Sequence, residues 1–251
     1  MENCFTNCVG VIDSGVGGLT ILKQLQRDFP TCNFVYIADS LYCPYGTKQP
    51  NEILFRANKL IGFLQGCGVQ SIVIACNTAS VHANTLRQQF NLPIYDVITP
   101  TCMRVVNTTK NKRVALLGTN ATVNSGAYQH ILNASGIEVV PFHCSQFVPF
   151  VENNEVDTAK CDIAVDKALC VLPKCNVDTV ILGCTHFPLL RTKIAPYTCG
   201  ATIIECCTDF QPLSSCDDKP QKTVFLTTGV EKQVNNAVKW FGKAHFSHIE
   251  L

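Results

Sequence analysis

The chain reads as an α/β protein of two similar lobes, each a mainly parallel sheet flanked by helices, with the active site in the cleft between them. Three observations predict this. Short β-branched runs alternate with helix-length segments, which implies parallel sheets covered on both faces. A strand-cysteine-polar motif occurs twice. The chain has 251 residues, 47% of them hydrophobic, which is enough for two compact lobes.

Residues 9–12 (Val-Gly-Val-Ile) begin the pattern as a buried strand, and the glycine-rich turn after them leads into a helix over 19–29. Strands follow at 34–37 and 71–75, separated by a helix over 51–64. A helix over 78–90 then ends at Asn91-Leu92-Pro93, where proline interrupts the periodicity. The second lobe alternates in the same way: strands at 113–117, 138–141, 179–182 and 202–204, with helices over 122–134 and 158–171. The polar stretch from Cys199-Gly200 to Cys216-Asp217-Asp218-Lys219-Pro220 is the other candidate break. A strand at 223–227 and a helix over 231–241 complete the chain. The expected division is residues 1–96 plus 210–251 for the first lobe and 97–209 for the second.

Charge and cysteine content exclude some classes of function. Twenty Lys and Arg against 19 Asp and Glu leave a net charge of +1, and no run of five or six like charges marks a nucleic-acid or anionic-membrane surface. The start, Met1-Glu2-Asn3-Cys4, has no basic region followed by an apolar one, and no 18-residue apolar stretch follows, so a soluble cytoplasmic protein is expected. Sixteen cysteines bring a secreted disulfide framework to mind. The chain is long enough to fold on its apolar core and has no C-x-x-C pair, which favours thiols that are mostly reduced and structural.

Two cysteines differ from the rest. Ser71-Ile-Val-Ile-Ala-Cys76-Asn77-Thr78 and Thr179-Val-Ile-Leu-Gly-Cys184-Thr185-His186 each place a thiol at the carboxyl end of a strand, where polar residues open the next helix. Ligands of parallel sheets bind at that end. A helix amino terminus there is expected to lower the thiol pKa from about 8.5. One such cysteine would suggest a nucleophile. Two on separate lobes suit racemisation, which needs a base on one face of a carbon, an acid on the other, and roles that exchange on reversal.

Ala75-Cys76-Asn77-Thr78-Ala79-Ser80 and Gly183-Cys184-Thr185-His186-Phe187-Pro188-Leu189-Leu190 resemble the two signature motifs of glutamate racemases. The resemblance extends to Asp13-Ser14-Gly15-Val16-Gly17-Gly18-Leu19-Thr20, Pro44-Tyr45-Gly46, Gly118-Thr119 with Ser125-Gly126-Ala127-Tyr128, and Phe147-Val148-Pro149-Phe150-Val151-Glu152. It implies that the pairs Asp13-Ser14, Tyr45-Gly46, Asn77-Thr78 and Thr185-His186 line a glutamate site. It further implies that Cys76 acts on D-glutamate and Cys184 on L-glutamate, that Asp13, His186, Asp39 and Glu152 assist, and that no cofactor or metal takes part. The family supplies D-glutamate for peptidoglycan. The expected partner is the small-molecule substrate, without nucleic acid or membrane, and homodimer formation stays open.

Several residues also have plainer readings. Asp13 and Ser14 suit capping of the next helix, and Pro44-Tyr45-Gly46 suits an ordinary turn. Asp39 and Glu152 suit solvated acids. The loop over 13–20 also resembles a dinucleotide-binding turn, with Asp39 near a ribose acid's place, although Thr20 stands at the third glycine and Asp13 would face the pyrophosphate with like charge. A thiol-rich metal binder is the remaining rival, without a ligand spacing to support it. Ser40-Leu41-Tyr42-Cys43 departs from the family pattern. His186 favours glutamate over aspartate, because relatives acting on aspartate more often carry an acid there.

Overall fold

The computed structural model describes residues 5, 7–212, 221–238, 240–242 and 244–251. Its strands are Cys8–Asp13 (β1), Asn33–Ala38 (β2), Ser71–Ile74 (β3), Ile94–Tyr95 (β4), Arg113–Gly118 (β5), Glu138–His143 (β6), Thr179–Gly183 (β7), Thr202–Glu205 (β8), Thr223–Thr227 (β9) and Phe246–His248 (β10). They form a six-stranded sheet in the order β10-β9-β2-β1-β3-β4 and a four-stranded sheet in the order β6-β5-β7-β8. Every pairing is parallel. β3 and β7 are buried along their whole length, which is why they read as unbroken apolar runs.

Strand order positions the two cysteines. β1 lies between β2 and β3, and β5 lies between β6 and β7. In each sheet the chain therefore steps to one side and then crosses to the other, which opens a crevice at the carboxyl ends of the central strands. Cys76 follows β3 and Cys184 follows β7, so each thiol stands beside its own crevice. The lobes are not separate cores. Leu22 and Phe34 of the first sheet's surroundings share one buried cluster with Leu117, Phe147, Leu182 and Phe187 of the second.

Several expected elements differ. The helix expected over 78–90 is two, Asn77–Ser80 and Ala83–Gln89, and Ser80 donates its hydroxyl back to the Ile74 carbonyl at 3.0 Å. The helix over 122–134 is divided at Gly126, whose φ of 69° places it in the left-handed region. The helix Ile98–Val106 was not foreseen. Nor were β4 and β10: each is an edge strand of two or three residues, too short for a periodic signal, formed because a neighbouring strand offers unpaired backbone groups. The carboxyl-terminal helix is Glu231–Ala237. Residues 1–4, which carry the expectation about a leader, and residues 213–220 of the second candidate break lie outside the described residues.

Cys76, Cys102, Cys144, Cys161, Cys184 and Cys206 are buried thiols, whereas Cys32 is disulfide-bonded. Among the described residues no helix is long and apolar enough to cross a membrane.

Candidate active site

β1 ends in Asp13, which is 1% exposed. One carboxylate oxygen accepts the Gly15 N–H at 3.0 Å and the other accepts the Thr185 hydroxyl at 3.2 Å, so the first lobe's turn is tied to the second lobe's cysteine loop. Burial raises the Asp13 carboxyl from 3.8 to about 6, although the nearby His186 opposes the shift. The glycines of the turn exist for close approach. A Cβ on Gly17 would lie 2.5 Å from His186 Nδ1 and 2.6 Å from Thr185 Oγ1, and one on Gly15 would run into the Glu152 carboxylate. Thr20 donates its hydroxyl to Gly17 O at 2.9 Å and to Thr185 O at 3.1 Å. Second-lobe side chains, His186 and Thr185, thus pack directly against this loop.

Cys76, Ser14, Asn77, Thr78, Tyr45 and Gly46 of the first lobe line one small cavity together with Cys184, Thr185 and His186 of the second. Pro44, Thr119 and Val148 complete its wall. It has about 10 Å³ of open space, room for roughly one water. Cys76 directs its thiol toward the Ser14 hydroxyl at 3.7 Å. Its pKa is raised from 9.0 to about 12, by burial first and then by the Asp13 charge. This corrects the expectation of a thiol acidified by a helix amino terminus. The helix after Cys76 has four residues, and desolvation outweighs what one turn of N–H groups supplies. Cys184 is followed by a 3-10 turn, Phe187–Leu190, rather than directly by an α-helix.

His186 joins the second thiol to an acid. Its Nδ1 lies 3.6 Å from Cys184 Sγ and its Nε2 lies 2.6 Å from Glu152 Oε1, which also accepts the Val16 N–H at 2.9 Å. Burial disfavours the imidazolium, but the Cys184 sulfur and the Glu152 carboxylate outweigh it and raise the His186 pKa well above 6.5. Thr78, Thr119 and Thr122 form a triangle of hydroxyls with 2.9 to 3.2 Å edges beside the cavity.

Three acids named from the sequence stand outside the cavity lining, each in a different relation to it. Asp13 reaches the wall through Thr185, and Glu152 reaches it through His186. Asp39 lies farther back: it is fully buried and paired with Arg56 through contacts of 2.8 and 2.9 Å, and it accepts the hydroxyls of Thr228 at 2.7 Å and Tyr45 at 2.5 Å. With four donors on two oxygens, Asp39 is a fixed anchor for Tyr45 rather than a solvated acid. Next to Glu152 a groove of about 820 Å³ opens between residues 40–44, 148–155 and 229–237.

A family model described as Asp/Glu/Hydantoin racemase matches residues 19–208. The chain belongs to the Asp/Glu/hydantoin racemase family. The glutamate racemase of Aquifex aeolicus is 38% identical over 198 residues, 78% of each chain. Among solved structures, a glutamate racemase isoform from Bacillus anthracis superposes with a TM-score of 0.87 at 30% identity, covering 98% of this chain and 97% of its own. The glutamate racemase of Francisella tularensis, solved with D-glutamate, gives a TM-score of 0.85 at 28% identity and covers 98% of both chains. Membership in this racemase family agrees with the two-lobed architecture.

Sequence reasoning missed Cys206, Thr122, Arg56 and the bearing of Tyr128 on the site. Cys206 follows β8 as Cys184 follows β7, but its neighbours, Glu205 and Cys207, do not repeat the elbow motif. The only signal was its position at a strand's carboxyl end. Arg56 sits inside a helix that reads as amphipathic, where an isolated arginine gives no hint of an ion pair 17 residues back. Among the described residues no group of three or more His, Cys, Asp or Glu is placed to hold a metal ion.

Proposed function

We propose that this chain interconverts L- and D-glutamate by a two-base mechanism, with Cys76 and Cys184 on opposite faces of the substrate's α-carbon. One observation carries the reading: thiols from the carboxyl ends of strands in two different sheets line the same cavity. A thiolate on one side takes the α-proton and becomes a thiol. The opposite thiol gives its proton to the resulting carbanion and becomes the thiolate, so the reverse reaction starts from the other side. Cys76 acts on D-glutamate and Cys184 on L-glutamate. The relatives' naming as glutamate racemases and the D-glutamate bound to the Francisella protein support the choice of substrate. His186 supports glutamate over aspartate.

The charges around the cysteines suit this chemistry. Asp13 receives the α-ammonium, which cancels the charge that helps hold the Cys76 proton and so prepares Cys76 to act only when substrate is present. His186, oriented by Glu152, carries protons at Cys184. Ser14, Asn77, Thr78, Thr185 and the Tyr45-Gly46 backbone supply donors to the two carboxylates. Asp39 acts at one remove, as a positioning residue for Tyr45. A cavity of about 10 Å³ does not admit a molecule of glutamate's size, so binding requires the lobes to part and close again. We take the lobes as residues 1–96 with 210–251 and residues 97–209. We place the reaction in the cytoplasm, in a cell that builds peptidoglycan from the D-glutamate, with no cofactor; a homodimer is compatible with this reading.

The test is incubation with each enantiomer in deuterated water, following optical rotation and α-deuterium together. Loss of rotation with deuterium incorporation from both enantiomers is expected, and Cys76→Ala or Cys184→Ala abolishes it. Exchange with aspartate alone would redirect the substrate assignment, and full activity in either alanine variant would overturn the two-thiol mechanism.

A further inference from the structure

The Asn77 side chain lines the cavity, yet both of its polar atoms are gripped from the second lobe. Its Oδ1 accepts the Tyr128 hydroxyl at 2.7 Å, and its Nδ2 donates to Cys206 Sγ at 3.1 Å. Cys206 Sγ in turn lies 3.0 Å from the Leu182 carbonyl and 3.4 Å from Asn77 Oδ1, and its single thiol proton goes to the nearer acceptor, Leu182 O. Leu182 is two residues before Cys184, and Asn77 directly follows Cys76. Cys206 and Tyr128 are both buried, and neither lines the cavity.

An amide can face a ligand with its oxygen or with its nitrogen, and its neighbours decide which. Here a hydroxyl donor at 2.7 Å claims the oxygen. With the thiol proton on Leu182 O, the sulfur is left to accept one N–H of the amide. Among the described residues no second acceptor engages the Asn77 amide nitrogen, and Asn77 is one of the residues that line the cavity.

From this the structure assigns Cys206 and Tyr128 as positioning residues that lock the Asn77 amide with its N–H edge toward a substrate carboxylate. The assignment rests on the glutamate reading. It makes Asn77 a fixed donor whose orientation is set by the second lobe, so the donor is correctly aimed only when the lobes are together. A carboxylate meets a preorganised N–H, and a wrongly flipped amide would meet it with an oxygen.

The experiment is steady-state racemisation of both enantiomers by the full-length chain and by Cys206→Ala, Cys206→Ser, Tyr128→Phe, Asn77→Ala and the Asn77→Ala/Cys206→Ala pair. Loss of one aimed hydrogen bond to a charged group predicts that Cys206→Ala and Tyr128→Phe each raise KM about 10-fold or more, with kcat within about threefold. Cys206→Ser retains a donor and an acceptor and recovers most of the affinity. The double variant is expected to have the KM of Asn77→Ala alone, because the positioning effect passes through the amide. Were Cys206→Ala not to fold, Tyr128→Phe and Cys206→Ser carry the same comparison. An unchanged KM in Cys206→Ala and Tyr128→Phe, or losses that multiply in the double variant, would overturn the assignment while leaving the glutamate reading intact. Absence of turnover by the unsubstituted chain would instead overturn the glutamate reading, and this one with it.

Discussion

His186 Nε2 lies 2.6 Å from Glu152 Oε1, and this contact links the second thiol to a carboxylate 34 residues back along the chain. It holds the imidazole ring with Nδ1 toward Cys184 and favours its protonated form. Burial opposes that charge, and the Cys184 sulfur and the Glu152 carboxylate together outweigh it.

Replacing Glu152 with Gln tests this link. Because the folded-state pKa of His186 is raised above its usual 6.5, the ion pair stabilises the fold fully below about pH 6.5 and is lost as pH rises through the folded value. Glu152→Gln is therefore expected to lower the melting temperature more at pH 6 than at high pH. It should also shift the basic limb of kcat/KM toward lower pH and reduce kcat/KM roughly 10- to 100-fold. The reduction must be equal for the two enantiomers, since they have the same free energy. A basic limb that stays in place would count against the role of Glu152.

Asp13 predicts the opposite pairing of stability and activity. Its shift from 3.8 to about 6 means that the ionised folded form carries a penalty of about 3 kcal/mol, fully present above pH 6 and absent below pH 3.8. Replacement by Asn removes that charge at the cost of part of a hydrogen-bond pair. The expected result is a protein about 1–3 kcal/mol more stable at pH 8 and inactive. In the unsubstituted chain the acid limb of kcat/KM should fall near pH 6, where Asp13 loses the charge we propose to receive the ammonium. A destabilised Asp13→Asn protein at pH 8 would contradict the desolvation argument.

Gly17 is one of the places where the lobes approach closely. A methyl group there meets His186 and Thr185 at 2.5 and 2.6 Å, contacts that one of the loops must relieve by moving. Gly17→Ala is expected to keep the far-UV circular dichroism of the folded chain and to lose kcat/KM by about 100-fold, the scale expected of an ångström's misplacement. Near-normal turnover would mean that the second lobe's loop yields without disturbing Cys184.

Arg56 and Asp39 form a pair with side-chain exposures of 4% and 0%. Arg56→Ala leaves a buried carboxylate uncompensated and should cost about 3–5 kcal/mol in urea unfolding. Arg56→Met combined with Asp39→Asn removes both charges and should recover a large part of that loss. Equal destabilisation by the single and the double changes would show that packing, not charge, is what the pair contributes.

Much of the fold was legible because parallel strands buried on both faces leave continuous apolar runs, as at Ile72-Val73-Ile74 and Val180-Ile181-Leu182. The edge strands Ile94–Tyr95 and Phe246–His248 left no such trace. Phe246 is their clearest case: it is fully buried, but it is flanked by polar residues, so only pairing with β9 defines it as strand. At the site, the repeated elbow disclosed Cys76 and Cys184 because their flanks carry the pattern. Cys206, placed at a strand end without the elbow's flanks, and Arg56 left little trace, since each pairs with a residue distant in sequence and neither has a motif of its own.

The alternation of strands and helices, the two strand-end cysteines and the glycine turn after β1 are properties of the sequence itself, because local periodicity and backbone freedom are encoded in neighbouring residues. Tertiary structure alone decided the electrostatic state of the site. The sequence suggested a Cys76 thiol acidified by a helix terminus. Burial beside Asp13 instead raises it to about 12, and the Cys184 sulfur and the Glu152 carboxylate raise His186 well above its usual value. Those outcomes depend on which charges are desolvated together, and only the meeting of the two lobes determines that.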